Sequence, residues 1–545
     1  MAAPSSRGPV QAHYAPCTDP SRDSAGGFCD ATALWGLDAT SVSRSAGGLS
    51  LGDVDGDGRA DILWMLHGGP SPLQIHLHHT NGFVSGSELL GASRPVGLAS
   101  AIADLDGDGD EDILAAPGLS GVIVYRNDGG TFSQIPLATD PSGNDVVVAM
   151  PADVDRDGML DIVLGVWRST LTCITPIGLH GCAGHVEVYR QVAPWNFQRL
   201  VVNAPPRWVQ ALRMFDWDGD GVEEILVAND LGMFAGGDQI LRVVHASDGT
   251  ISLDDVTGGD AFGAEIMGMG INPIDLDSDG IDELFIANMG FPLLFRRQGG
   301  TFVDVARSLA PDSYGLPSSG APPHYFLFDS ENEAEGPLGR FQNAYFATSS
   351  SWFPTTKWAP VVFDYDDDGH QDLFIPAAIV GLPHYPELED SPPQLLRGTG
   401  SGCLTDVSTA NHVSVRGSGV SAVTADFDDD GDLDLAVVQA AATDTDRDRI
   451  VLLRNDNIGG HSLTVVAHGR GGAREGIGTI VEARTGSTTR RQRIDGHSSY
   501  VGSGLHVARF GLGAAMQVDE VVVHFIDGTV VRRSNVPAGT VIIDE

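Results

Sequence analysis

Apolar and polar positions along this chain alternate in short bursts and show no helical period. Segments such as "DILWML", "DILAAP" and "DLFIPAA" are brief apolar runs bounded by Gly, Asp and Asn, the pattern of short buried strands. The bursts fall into a repeating unit. A strand of small residues leads into an acidic run, a second strand leaves it, and a third resembles "GVIVYRND" or "PLLFRRQGG". A "GTF" turn then opens a fourth, as in "GGTFSQIPL" and "GGTFVDVA". Four strands per unit and seven units predict an all-β chain folded as a seven-bladed β-propeller. The strand entering each acidic run is expected innermost, where Ala99, Ser100, Ala101, Ser421 and Ala422 suit the crowding beside a central channel. The seventh unit supplies only three strands, ending at "RIVLLRND". The N-terminal "ATALWGLDATSV" has the fourth-strand pattern, and pairing the two would close the ring and cover exposed edges.

The acidic run itself fits D-x-D-x-D-G-x-x-[DE] seven times. Its carboxylates are Asp53, Asp55, Asp57 and Asp61; Asp104, Asp106, Asp108 and Asp112; and Asp153, Asp155, Asp157 and Asp161. They continue with Asp216, Asp218, Asp220 and Glu224; Asp275, Asp277, Asp279 and Glu283; Asp364, Asp366, Asp368 and Asp372; and Asp426, Asp428, Asp430 and Asp434. Oxygens at positions 1, 3 and 5, a backbone carbonyl at 7 and a carboxylate at 9 can wrap one Ca²⁺, with Gly at 6 permitting the sharp turn. Mg²⁺ would demand a stricter octahedron and keep more water, so up to seven Ca²⁺ are expected. A solvated acidic turn would not repeat with fixed Asp and Gly positions. An EF-hand would need flanking helices and a Glu at position 12, whereas strands follow directly here. Glu224 and Glu283 replace Asp at position 9, so their two sites are expected to differ.

Beyond the seventh unit, "LTVVAHG", "GTIVEART" and "EVVVHFIDGTVV" alternate like half-buried strands joined by Gly turns. This predicts an N-terminal extension over 1–30, a propeller over 31–457 and a compact β-domain over 458–545. The core of that last domain is expected to include Ile480, Phe510, Leu512 and Val522. The acidic loops resemble FG-GAP/VCBS-type repeats. The tail, with "LLRNDNIGGHSLTVV", "GIGTIVEART", "HSSYVGSG" and "ARFGLGAAMQVDEVVVHFIDGTVV", resembles the ASPIC/UnbV domain of cartilage acidic proteins and their bacterial relatives. The resemblance implies a secreted, cell-surface or periplasmic calcium-binding propeller with a small C-terminal β-domain. It implies no single activity, since propellers serve both as binding platforms and as enzyme scaffolds. An insertion from Tyr314 to Trp352 departs from the pattern.

Composition narrows the partners. A formal charge of −41 over 545 residues argues against nucleic acid, which would be repelled. With 42% hydrophobic residues the chain can bury a large core, so its acidity does not imply disorder. No apolar run approaches the ~20 residues that span a bilayer. The start, "MAAPSSRGPVQAHYAPC", lacks a basic n-region and an apolar h-region, as expected of a non-exported chain or of a mature form behind an added Met. Cys17 with Cys29, and Cys173 with Cys182, read as two local disulfides of an oxidising compartment, leaving Cys403 free. The second pair has a zinc alternative with His180 and His185.

One cluster of candidates lies away from the acidic runs. Residues seven to ten positions before the first Asp of each run fall near the opposite mouth of the channel. Arg44, Arg94, Arg207, Lys357 (the only lysine) and Arg416 occupy that window in five units, Asp145 and Glu265 in the other two. A basic ring there would capture an anion, with Glu265 or Asp145 as partner or base. Scattered arginines, and a Lys357 packed along Trp358, are the plainer reading. The insertion adds His324, Tyr325, Phe328, Phe341, Tyr345, Trp352 and Phe353, either a binding loop or a satellite core, and His384 follows in the next unit. No nucleophile elbow, Walker loop, HExxH or dinucleotide fingerprint is present. Two functions therefore stand. One is a calcium-stabilised propeller that binds a protein, a glycan or a small anionic or aromatic ligand at the mouth. The other is a calcium-dependent enzyme of cyclase or alkyl-transfer type, with Lys357, Glu265, Arg207, Arg416, His324, Tyr325 and His384 as its candidates.

Overall fold

The computed structural model describes residues 14–18, 26–37, 41–42, 47–66, 73–91, 94–117, 121–137, 145–167, 184–230, 236–258, 261–263, 268–288, 292–299, 301–306, 357–377, 392–414, 419–439, 448–457, 459–471, 474–496 and 501–545. Short apolar runs separated by Gly and Asp give antiparallel four-stranded sheets, and each acidic run is the turn between the first two strands of one sheet. Blade 1 comprises Leu49–Gly52, Asp61–Trp64, Gln74–His79 and Gly82–Ser85, and blades 2 to 6 repeat this order. The chain is an all-β propeller of such blades followed by a small β-domain. Blade 4 gains a fifth strand, Val201–Asn203, parallel to Ile251–Asp255.

In blade 7 the strands Ala422–Ala425, Asp434–Gln439 and Asp448–Asn455 are completed from the N-terminus. Ser41–Val42, inside the segment expected to pair there, binds Asp448 and Arg449. The longer pairing comes from just upstream, where Phe28–Asp30 runs against Leu453–Asn455. The Cys17–Cys29 disulfide ties the preceding chain to that strand.

Innermost strands neighbour one another from blade to blade, and that of blade 7 lies beside that of blade 1. Small residues allow this approach: Ala99, Ser100, Ala101 and Ala422 are fully buried, and Ser50 Oγ meets Ser100 Oγ at 3.0 Å. The "GTF" turns open fourth strands at Phe132 and Thr301 as expected.

The C-terminal domain is two packed sheets. Ala508–Gly513, His461–His468 and Gly539–Asp544 form one; Thr488–Arg493, Ile480–Thr485, Gln517–His524 and Val530–Pro537 form the other. Phe510 and Leu512 join its core and Val522 is buried, as expected. Ile480 is only half-buried and Val481 takes the core position, because the strand's alternation is offset by one residue from the expected one.

This domain rests on the acidic-loop face of the propeller, and residues 501–503 run among the inner strands. The Leu51 N–H donates to Ser503 O at 2.9 Å, and the Ile102 N–H donates to Ser503 Oγ at 3.3 Å. A Cβ on Gly48 would stand 1.8 Å from Val501 O, so only glycine admits that backbone.

Candidate metal centres and the opposite face

The seven acidic loops share one backbone geometry that begins with chirality. Position 6 is Gly with φ between 83° and 102° in every copy, and position 4 is left-handed too. Gly56, Gly107 and Gly219 take position 4 at no steric cost, but Arg156, Ser278, Asp367 and Asp429 adopt it as non-glycine residues, with φ from 51° to 64°. Paired left-handed turns point the backbone N–H groups of positions 5 and 6 inward. Both reach the first carboxylate: in loop 1 the Asp57 and Gly58 N–H groups donate to Asp53 at 2.9 and 2.7 Å, and in loop 7 those of Asp430 and Gly431 donate to Asp426.

The ninth position locks the loop to its blade. In loop 1, Asp61 accepts the Val54 N–H through one oxygen and the third-strand His78 N–H through the other. Asp112, Asp161, Asp372 and Asp434 do the same with the N–H groups of Asn127, Gln191, Gly398 and Asn455. Glu224 and Glu283 differ, as their extra methylene predicts. Their second oxygen takes a side chain instead, Arg242 Nε at 2.8 Å and Arg296 Nε at 2.6 Å.

Those two arginines belong to a series that the sequence displays without explaining: "VYRND", "VYRQV", "ILRVV", "LFRRQ", "LLRGT" and "LLRND". Arg126, Arg190, Arg242, Arg296, Arg397 and Arg454 occupy the same third-strand register in six blades, and blade 1 has Leu77 there. Five of them pair with carboxylates of their own loop, for example Arg397 Nε with Asp366 at 2.7 Å and Arg190 Nη2 with Asp157 at 2.8 Å. Arg454 pairs with Asp456. Reading the loop alone misses them, because their register against position 9 exists only once the strands pair.

The donor set fits a hard divalent cation. Ligand oxygens of Asp53, Asp55 and Asp61 lie within 4.8 Å of one another, as do those of Asp104, Asp106 and Asp108. Asp155 Oδ1, Asp277 Oδ1 and Asp366 Oδ1, all at position 3, are buried without a hydrogen-bond partner. Burial pushes the carboxyls of Asp61 and Asp104 up to about 7, and those of Asp112, Asp161 and Asp364 up to about 8, because no counter-charge replaces the lost water.

The opposite face is less unified than the sequence suggests. Lys357, read either as part of a ring at the mouth or as packed along Trp358, is 8% exposed. Its backbone N–H reaches Asn288 O of the adjacent blade and it bridges Ala377, so strand pairing beside the buried Trp358 draws it in. Arg94 Nη1 donates to Leu73 O at 3.0 Å. Arg207 alone of the described basic set lines a cleft, of about 460 Å³, with Asn203, Asp238, Gln239, Asp255 and Thr257. Asp238 is 1% exposed; its Oδ1 accepts the Asn229 N–H at 2.7 Å, its Oδ2 has no partner, and burial holds its carboxyl well above the usual range. Sequence reasoning missed Asp238, which no motif flags. Asp145 opens the inner strand of blade 3. Arg44, Glu265, His324, Tyr325, His384, Arg416 and the aromatic insertion lie outside the described residues, as do Cys173, His180 and Cys182. His185 pairs with Glu187 at 2.8 Å, and Cys403 is an exposed free thiol.

The model of the FG-GAP-like repeat matches residues 53–115 and 104–164, and that of ASPIC and UnbV matches 469–543. The chain carries FG-GAP-like repeats and an ASPIC and UnbV domain. Cartilage acidic protein 1 of Mus musculus and of Homo sapiens are each 27% identical to it over 207 residues, 36% of this chain. The match spans 30% of the length of these relatives. Among solved structures, Bacillus licheniformis rhamnogalacturonan lyase PL11 aligns over 82% of this chain and 76% of its own, with 13% identity and a TM-score of 0.36. BBS1N, from its complex with ARL6DN, aligns over 79% of this chain and 98% of its own, with 11% identity and a TM-score of 0.39. The FG-GAP-like match coincides with the first three acidic loops, and the ASPIC and UnbV match with the domain that covers them.

Proposed function

We propose that this chain is an extracytoplasmic, calcium-loaded propeller that binds a hydroxyl-rich ligand, the end of a glycan, in the Arg207 cleft. Calcium is supported by the orphaned position-3 oxygens and the buried position-9 carboxylates, which need a cation to remain charged. An oxidising compartment is supported by the Cys17–Cys29 disulfide. The observation that carries the ligand reading is the cleft lining. Asp238, Asp255, Arg207, Asn203, Gln239 and Thr257 offer acceptors and donors side by side, which matches sugar hydroxyls better than a bare anion. Among the described residues the lining includes neither an aromatic residue nor Lys357, which favours binding over the alkyl-transfer or cyclase alternative. Calcium rigidifies the blades that carry the cleft and takes no part in ligand contact.

A glycan array probed with the full-length protein in millimolar Ca²⁺ tests this reading. Arg207→Met and Asp238→Asn should each weaken the strongest signal at least about tenfold, the ~1.4 kcal/mol of one charge-assisted contact. EGTA should abolish it. Equal signals from the parent and both variants would move the ligand site elsewhere.

A further inference from the structure

The seam between blade 2 and the C-terminal domain holds a cluster that the loop motif does not use. Glu111 is position 8 of loop 2, between the expected ligands, and its Oε2 accepts the backbone N–H of Asp53. Gly52 keeps room for it, since a Cβ there would stand 2.3 Å from that oxygen. From the C-terminal domain, Glu475 and His506 descend onto the same spot. One ligand atom from each of Glu111, Glu475 and His506 lies within 4.8 Å of the other two.

The contacts within this group are close but poorly aligned for hydrogen bonding. His506 is 7% exposed, yet neither ring nitrogen, nor either oxygen of Glu475, has a hydrogen-bond partner of acceptable geometry. Even so, His506 Nδ1 stands 2.9 Å from Glu475 Oε2. Ligand arms of ~2.0–2.2 Å meeting tetrahedrally at one metal set their donor atoms about 3.3–3.6 Å apart without aiming one at the other, so this pair need open by only about half an ångström to admit an ion. Two half-buried carboxylates and one buried imidazole thus converge on a single point.

We propose that Glu111, Glu475 and His506 form a transition-metal site of the zinc type that fastens the C-terminal domain to blade 2. An imidazole with two carboxylates suits such an ion, whereas Ca²⁺ takes oxygen ligands and fits the loops instead. Three protein ligands leave the fourth position to water.

The test uses the full-length protein with its loops saturated in millimolar Ca²⁺. Co²⁺ is titrated in as the probe and read by its visible ligand-field absorption. One equivalent should bind and be displaced by Zn²⁺, and His506→Gln should weaken it at least about tenfold. Because that variant could loosen the seam, Glu111→Gln serves as the second. Its amide oxygen still accepts the Asp53 N–H, so Co²⁺ should be lost while the circular dichroism spectrum stays that of the parent. Absence of Co²⁺ binding in the calcium-saturated parent would overturn the proposal. So would an unchanged cobalt spectrum in both variants, or a sulfur-to-cobalt charge-transfer band, which would put the ion on Cys173 and Cys182.

Discussion

Loops 4 and 6 spell the same nine-residue motif and end in different surroundings. In "DWDGDGVEE" the Asp218 side chain is 38% exposed, and its partner Arg242 is 39% exposed. In "DYDDDGHQD" the equivalent Asp366 side chain is 21% exposed, and Asp367 beside it, at position 4, is 3% exposed because the C-terminal domain lies on it. Arg509 clamps both oxygens of Asp367, Arg490 Nε donates to Gly369 O at 2.7 Å, and the Gly513 N–H donates to Asp367 O at 2.7 Å. Gly511 is needed there, since a Cβ would stand 1.9 Å from Asp364 Oδ2. Loop 6 therefore spends its left-handed position 4 on an aspartate with an interdomain partner, where loop 4 has Gly219. A motif fixes how a loop folds, and the neighbouring domain fixes how much water its carboxylates keep.

Calcium removal should separate the two loops most. Without metal the buried carboxylates of loop 6 repel one another at low dielectric, while those of loop 4 are screened by water. Chelation should lower the unfolding midpoint by about ten degrees or more, and loop 4 should release its ion first. Calorimetry in EGTA and in millimolar Ca²⁺ measures the first effect, and stepwise chelation of Asp218→Asn against Asp366→Asn protein measures the second. Identical midpoints after confirmed removal of metal would show that the loops need none.

Arg509→Met should cost about 3 kcal/mol, because it strands Asp367 in a buried site. Denaturant unfolding should show it, and restoring balance with Asp367→Asn should recover part of the loss. A cost below about 1 kcal/mol would mean that water reaches loop 6 as freely as loop 4.

Acidity gives a third handle. Burial raises the folded-state pKa of Asp61 and Asp104 to about 7 and of Asp364 to about 8, above the unfolded carboxyl range near 4. For such groups stability is full below the unfolded pKa and is lost as pH rises through the folded one. Calcium-free protein should therefore become more stable on acidification from pH 8 to pH 6, and calcium-loaded protein less so, since protons compete for its ligands. Parallel slopes in the two states would contradict buried, metal-neutralised carboxylates.

The smallest effect belongs to loop 4. Arg242→Met removes one pair to the exposed Asp218 and one bond to the buried Glu224, for about 1 kcal/mol in all. A loss as large as that of Arg509→Met would erase the contrast between the loops.

Much of this molecule is legible in its amino acids because it closes locally. The spacing of Asp and Gly dictates a turn whose bonds to its first carboxylate fall within nine residues, and apolar runs on either side dictate the paired strands. Repeating that unit determines the blades, and the alternation of the tail determines its sheets. What lies across strands is not legible in that way. The register of Arg397 over Asp366, the orphaned Oδ2 of Asp238 in its cleft and the burial of Lys357 follow from strand pairing. The approach of Glu475 and His506 to Glu111, and of Arg509 to Asp367, joins residues far apart in the chain. No local spacing encodes those distances, since they depend on how one closed surface settles on another and which charges lose their water there.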